Sequence, residues 1–237
     1  MNTILFDLDG TLLPLDMALF EKIYFEELTK SFSDILTPEE LAKNIWGSTK
    51  TMVANLEHKT NEDVFMDDFG QRVNYDLLKI KQRFDDFYDT TFFRVKEAVK
   101  DVESIRESVK ILREKGYKIV IATNPLFPIK AIHHRVRWAG FDPEEFSYIS
   151  SFEKNHYCKP QLKYYEEILN DISKDPEECL MVGNDVQEDL VSKQLGMKTY
   201  LITDNLLHRT KDEIISDYIG EYKDFHEFVK TLPHAQA

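Results

Sequence analysis

Short apolar runs, rich in β-branched residues and set far apart, place the tightest limit on what this chain can fold into. They are Thr3 to Phe6, Lys118 to Ala122, Phe146 to Ile149, Cys179 to Val182 and Thr199 to Ile202. Most are too short for helices and lack clean apolar–polar alternation, the pattern of strands buried on both faces of a parallel sheet. Between the later runs the apolar residues switch to helical spacing. Ile105, Val109 and Leu112 recur at i, i+4 and i+7, and a basic last turn (Arg113, Lys115) precedes Gly116, a helix stop. Tyr164, Tyr165, Ile168 and Leu169 mark a second helix that ends before Asp175-Pro176. Leu190, Val191, Gln194 and Leu195 mark a third, closed by Gly196. Strand–helix–strand alternation predicts an α/β fold, a parallel sheet flanked by helices and joined by right-handed crossovers.

Residues 14 to about 95 break that alternation, with some 80 residues at helical spacing and no credible strand. Helical pieces are expected from Asp16 to Ser31, Pro38 to Trp46, Thr49 to His58, and Glu62 through about Phe93. Thr37-Pro38-Glu39-Glu40 is a good start signal: a capping Thr, Pro at the first helical position, and Glu three after the cap. The stretch is too long for one crossover. It reads as a helical domain (15–94) inserted directly after the first strand of an α/β domain made of residues 1–14 and 95–237.

Composition removes several classes of function. With 43 acidic and 30 basic residues, the net charge is −13, a poor basis for gripping nucleic-acid phosphates. No apolar run approaches the roughly 20 residues needed to span a bilayer. The N-terminus has no basic region and reaches Asp7 after a few apolar residues, unlike a signal peptide. Two cysteines, Cys158 and Cys179, make neither a disulfide framework nor a zinc set. The expectation is a cytoplasmic protein without nucleic-acid or membrane partners; its oligomeric state leaves no mark in the sequence.

Four short segments carry candidate chemistry. In Phe6-Asp7-Leu8-Asp9-Gly10-Thr11, extended backbone aims Asp7 and Asp9 to one face at the strand's carboxyl end, where open α/β sheets bind ligands. Carboxylates that close repel unless a cation or a proton intervenes. A calcium-binding EF-hand loop fails, because Leu12 and Ala18 stand where it needs Gly and Glu; a plain Asp-Gly turn stays open. In Ile121-Ala122-Thr123-Asn124-Pro125, a hydroxyl at a strand end suits a phosphate oxygen, or is an ordinary strand exit. Lys159, in Cys158-Lys159-Pro160, is a lone loop cation, by default a solvated one. Gly183-Asn184-Asp185-Val186-Gln187-Glu188-Asp189 brings carboxylates after another strand, or simply an acidic helix start.

Taken in this order, the four segments resemble the haloacid dehalogenase-like hydrolase superfamily, over about 155 residues outside the helical stretch. The resemblance implies a Rossmann-like core with a helical cap inserted between the first two motifs. It implies that Asp7 is a nucleophile forming an aspartyl-phosphate and that Asp9 is the general acid and then base. It implies Mg²⁺ held by Asp7, the Asp9 carbonyl and Asp185, with Gly10, Thr123, Asn124 and Lys159 around the phosphoryl group. Many relatives have Gly-Asp where Gly183-Asn184 stands. Asp185 is therefore taken as the direct ligand and Asp189 as a partner orienting Lys159 or ligand waters; Asn184 is the lesser choice as ligand. The implied activity is a Mg²⁺-dependent phosphatase for a small phosphorylated metabolite. A phosphomutase of the same family and a non-catalytic protein that binds a phosphate ligand are the rivals. A dehalogenase is disfavoured because Asp9 is present. A phosphonate-cleaving enzyme would need a cap lysine, and nothing singles out Lys22, Lys43 or Lys50.

Weaker signals remain. Lys130, His133, His134, Arg135 and Arg137 form a basic helix after Asn124, by default a solvated face. Trp46, His58, Arg72 and Arg83 lie in the helical stretch, with core or surface roles as the default, and Cys158 reads as a spectator thiol.

Overall fold

The computed structural model describes residues 1–236. Six strands form one sheet: β1 (Thr3–Phe6), β2 (Lys118–Ile121), β3 (Tyr148–Ile149), β4 (Cys179–Gly183), β5 (Lys198–Ile202) and β6 (Tyr218–Gly220). Their order is β3-β2-β1-β4-β5-β6, and every pairing is parallel. The chain steps from β1 to β2 on one side and later to β4 on the other. This reversal opens a crevice at the carboxyl end of β1, the usual ligand position in such sheets.

Burial on both faces explains the unbroken apolar runs. Ile4 and Phe6 join Ile119, Ile121, Leu180 and Val182 on one face, against Phe225 and Val229 of α8 (Tyr222–Thr231). Leu5 joins Val120 and Met181 on the other, against Tyr164, Tyr165 and Ile168 of α7 (Leu162–Ile172). Ile4, Leu5 and Phe6 are fully buried, and truncating a core Phe such as Phe6 to Ala would cost about 3–5 kcal/mol.

Between β1 and β2 lie α1 (Met17–Phe32), α2 (Pro38–Val53), α3 (Asn61–Val73), α4 (Leu77–Asp89), a 3₁₀ segment (Thr91–Ala98) and α5 (Glu103–Glu114). The chain leaves and returns at one place. Leu15 and Val99 form an antiparallel bridge, with Asp16 N–H donating to Ala98 O at 2.9 Å and Lys100 N–H to Pro14 O at 2.8 Å. The Thr37 capping box forms as the sequence implies: Glu40 N–H donates to Thr37 Oγ1 (3.2 Å) and Thr37 N–H to Glu40 Oε2 (2.9 Å).

Several boundaries differ from expectation. The expected break between Trp46 and Thr49 does not occur, and α2 runs through to Val53. There Ser48 and Thr51 donate to Asp68 of α3 at 2.7 and 3.2 Å, so the hydroxyls serve helix packing rather than a stop. The single helix expected from Glu62 to about Phe93 is broken by Asn74 in the left-handed region (φ 50°), and Asp76 caps α4 through Lys79 N–H at 3.1 Å. Residues Leu190–Leu195 are 3₁₀ rather than α-helix. The edge strand β6 and helix α8 were not anticipated. β6 has only three residues, and Ile219 is exposed, which leaves no buried apolar run to find. Among the described residues, no helix is long and apolar enough to cross a membrane.

Candidate active site

Asp7 continues β1, its N–H donating to Val182 O at 2.9 Å; Asn184 directly follows β4, and Thr123 lies two residues past β2, after Ala122, whose N–H donates to Phe6 O at 2.8 Å. The loop after Asp7 turns back at Gly10, whose φ of 83° is readily reached only without a side chain. Leu13 N–H donates to Leu8 O (2.7 Å) and Gly10 N–H to Leu13 O (2.8 Å), closing the turn. A Cβ on Gly10 would lie 2.6 Å from Asn184 Nδ2. The glycine thus lets the first and fourth segments touch; it does not line the cavity that Asp7 and Asp9 open into.

Lys159 is buried, not solvated. α7 begins three residues after it, and its Nζ lies 2.8 Å from Asp7 Oδ1 and 2.6 Å from Asp189 Oδ1. Burial works against the ammonium, but Asp189 and Asp7 outweigh it and hold its pKa well above the usual value. The carboxylates move too. Burial, opposed by Lys159, raises Asp7 to about 6 and Asp189 to about 7. One ammonium serves several crowded acids, so the cluster has spare negative charge. Asp189 Oδ2 also accepts Asp185 N–H at 2.9 Å. Gly183 makes this possible, since a Cβ there would lie 2.0 Å from Asp189 Oδ2.

The other expected residues divide by what they touch. Thr123 lines the cavity, while its carbonyl accepts Tyr164 Oη and Ser150 Oγ, both at 2.7 Å. Asn124 Oδ1 accepts Lys159 N–H (3.2 Å) and its Nδ2 donates to Glu188 Oε2 (3.0 Å). Asn184 Oδ1 accepts Thr11 Oγ1 (2.9 Å), and its Nδ2 donates to Asn205 O (2.7 Å). Both ends of that amide are engaged in joining loops. Asp185 Oδ1 accepts the N–H groups of Gln187 and Glu188 at 2.9 and 3.0 Å, and Oδ2 meets Arg209 Nη1 at 2.5 Å.

Three residues were not singled out for the site. Arg135, placed by default on a solvated face, is fully buried and pairs through Nη1 with Asp9 Oδ2. Its guanidinium lies 4.4 Å from the centre of the Phe127 ring, and its Nε donates to Ala131 O at 3.3 Å. The helix that carries it, α6 (Ile129–Trp138), also buries Ala131, Ile132 and Val136. That apolar stripe, with Arg135 on it, was the available signal. Glu188 lines the cavity, its carboxyl raised by burial against the pull of Lys159. Arg209 comes from the loop after β5, where no sequence pattern marks it.

The weaker candidates separate clearly. Trp46 lines the cavity, whereas His58 stacks on His156, Arg72 pairs with Asp68 and Arg83 is bidentate to Asp34. Lys130 pairs with Asp85 and Asp89. Lys22, Lys43 and Lys50 are exposed and line no part of the cavity. Cys158 is fully buried and burial pushes its thiol pKa up, so its neighbour Lys159 does not activate it.

Asp7, Asp9, Thr123, Asn124, Asp185 and Glu188 open into a cavity of about 560 Å³ roofed by α1–α4. Among the described residues, no three His, Cys, Asp or Glu side chains make a ready metal cage. A Mg²⁺ ion needs less, a few hard oxygens with waters filling the rest. Asp9 Oδ1 is buried with no hydrogen-bond partner, and Asp7, Asp185, Glu188 and Asp189 crowd the same end of the cavity. Spare negative charge with an orphaned oxygen suits a small divalent cation.

This fold and cluster define a hydrolase of the α/β type, and the chain belongs to the haloacid dehalogenase-like hydrolase family, whose model matches residues 1–192. It is 23% identical over 223 residues to the pyrophosphatase PpaX of Bacillus cereus (strain Q1), covering 94% of this chain and 89% of that one. A haloacid dehalogenase-like phosphatase from Thermococcus onnurineus superposes with a TM-score of 0.63 at 20% identity, each chain covered completely. A magnesium-bound hydrolase of the same type, YfnB of Bacillus subtilis, gives 0.59 at 19% identity, with 96% and 98% covered.

Proposed function

We propose that this hydrolase is a Mg²⁺-dependent phosphatase that moves the phosphoryl group of a small phosphorylated metabolite to Asp7 and then to water. The observation that carries the reading is Lys159 Nζ, held between Asp7 and Asp189 at 2.8 and 2.6 Å, with Asp9 two residues along the same turn. A lysine so fixed keeps the Asp7 carboxylate aimed and offers a cation to the phosphoryl oxygens as charge redistributes among them. Thr123 Oγ1 and the Asn124 N–H would take the remaining oxygens.

An Asp7 carboxylate oxygen attacks phosphorus, the bond from phosphorus to the leaving oxygen breaks, and the Asp9 carboxyl gives that oxygen its proton. Asp9 then takes a proton from water, whose oxygen attacks the aspartyl-phosphate, freeing phosphate and restoring Asp7. Burial raises the Asp9 pKa even against Arg135, which suits a group that must hold a proton in one half-reaction. Mg²⁺ bound by Asp7, the Asp9 carbonyl and Asp185 would offset repulsion between the nucleophile and the phosphoryl group. For that, Asp185 Oδ2 must exchange Arg209 for the ion. Residues 15–94 act as the cap that covers the substrate and excludes water, with the junction at Pro14–Asp16 and Ala98–Lys100.

The test is release of inorganic phosphate from an aryl phosphate with and without Mg²⁺. Turnover by the wild-type protein and its loss in Asp7→Asn support the reading. Full activity in Asp7→Asn would overturn the mechanism, and transfer to a second substrate position without free phosphate would make the protein a mutase.

A further inference from the structure

The walls above Asp7 are apolar and aromatic. Phe20, Tyr24 and Phe25 of α1, Trp46 of α2, Tyr88 of α4 and Phe127 all line the 560 Å³ cavity. That volume lies within the roughly 300–1,000 Å³ of sites for small organic molecules. The charged residues lining this upper part are Glu21, Glu62, Asp85, Glu153 and one cation, Lys81. Lys81 is committed to Glu62 at 2.8 Å. Lys130, which does not line the cavity, pairs with the lining residue Asp85 at 3.0 Å. On the floor, Arg209 is held by Asp185 and, at 3.5 Å, by Glu188, which it keeps when Mg²⁺ takes Asp185; Lys159 is held by Asp7 and Asp189. Among the described residues, every cation bordering the cavity already faces a carboxylate, and Glu21 has no ion-pair partner.

A second phosphate or a carboxylate on the leaving group would therefore enter an aromatic, acid-rimmed space with no free cation to meet it. Burying an unpaired anion is costly, and aromatic faces present negative charge that attracts cations and stacks with other rings. Resting on the phosphatase reading, we propose that the substrate is a phosphomonoester whose leaving group is an aromatic ring, neutral or cationic, and not a pyrophosphate or a phosphorylated acid. The half-exposed Trp46, 5.8 Å from the Phe25 ring, provides the outer stacking surface.

A matched pair of esters isolates the charge: phenyl phosphate and 4-carboxyphenyl phosphate, with pyrophosphate and phosphoglycolate beside them. Phenyl phosphate is expected to exceed each of the other three by at least about tenfold in kcat/KM. Trp46→Ala, at an exposed position where folding is not at stake, is expected to shrink the advantage of phenyl phosphate over methyl phosphate. Equal or better use of pyrophosphate, phosphoglycolate or the carboxylated ester would overturn the proposal while leaving the phosphatase reading intact. Calorimetric titration of the Asp7→Asn variant with the two aryl esters reads the same preference without turnover. Tighter binding of phenyl phosphate supports the cavity assignment even if the wild type cleaves nothing, an outcome that would sink the phosphatase reading alone. Equal or tighter binding of the carboxylated ester overturns it.

Discussion

Arg135 and Asp9 form an ion pair at the cavity floor, with the arginine fully buried on α6 and its guanidinium stacked over Phe127. The contact joins residues 126 positions apart and fixes the side chain proposed to shuttle the proton. Arg135 Nη2 and Asp9 Oδ1 are both left without partners, so the pair is not saturated.

Removing one member of such a pair leaves an uncompensated buried charge, typically at a cost of about 3–5 kcal/mol. Arg135→Ala is expected to lose that much in urea unfolding and to lower kcat much more than it changes KM. Arg135→Lys should recover part of both, because the charge survives while the stacked planar geometry does not. A fall in stability with kcat unaltered would restrict Arg135 to folding.

Asn184 and Asp185 are neighbours with separate roles. Asn184 ties Thr11 to Asn205, so Asn184→Ala should cost about 1–3 kcal/mol of stability, the penalty of orphaned buried partners. Its Mg²⁺ requirement should stay near wild type. Asp185→Ala is expected to raise the Mg²⁺ concentration for half-maximal activity by more than tenfold, on the scale of a lost ligand. The reverse order in a Mg²⁺ titration would make Asn184 the ligand.

Gly183→Ala tests the close approach of Asp189 to the β4 backbone. A Cβ 2.0 Å from a carboxylate oxygen must displace it, and Lys159 then loses one of two partners. The expected loss is about 3 kcal/mol with kcat reduced as well. A variant of wild-type stability and activity would mean that the loop has room to yield.

Both cysteines are buried, with thiol pKa values raised mainly by burial, that of Cys179 to about 12. Since the thiolate is the reactive form, neither should be alkylated by iodoacetamide at pH 8 in the folded protein. Both should react in urea, as read by intact mass. Rapid native labelling of Cys158 would place it within reach of solvent.

Asp217 has a pH signature. Lys193, Lys198 and the Thr199 amide outweigh burial and lower it from 3.8 to about 2. A depressed folded pKa stabilises above the ordinary value and is lost as pH falls through about 2. With both lysines partly exposed, the contribution is about 1 kcal/mol. Asp217→Asn should therefore lower Tm at pH 7, and the gap from wild type should narrow steadily below pH 4.

The central strands and the four chemical segments were legible because each rule involved acts locally. β1 and β4 are unbroken apolar runs since both faces are covered; Asp7 stands at the end of such a run, and Asp9 follows in the turn after it rather than on extended strand. The apolar stripe of α6 marks Arg135 as buried, but the ion-pair partners of Arg135 and Arg209 were opaque for the opposite reason. The roles of the two arginines come from what packs against them, Phe127 and Asp9 in one case and Asp185 in the other, and no short pattern encodes that. Asn74 shows an intermediate case. Its left-handed turn is a known helix stop, but the apolar spacing continues on either side and hides the break.

The bridge between Leu15 and Val99 has a topological consequence. Because the outgoing and returning strands are stitched together at the sheet, α1–α4 hang as a side branch whose two ends meet. The order of strands is the same whatever the branch contains, so its length and sequence can be exchanged without rewiring the catalytic edge. On the function proposed above, the chemistry is anchored on one side of that stitch and the choice of molecule changes on the other.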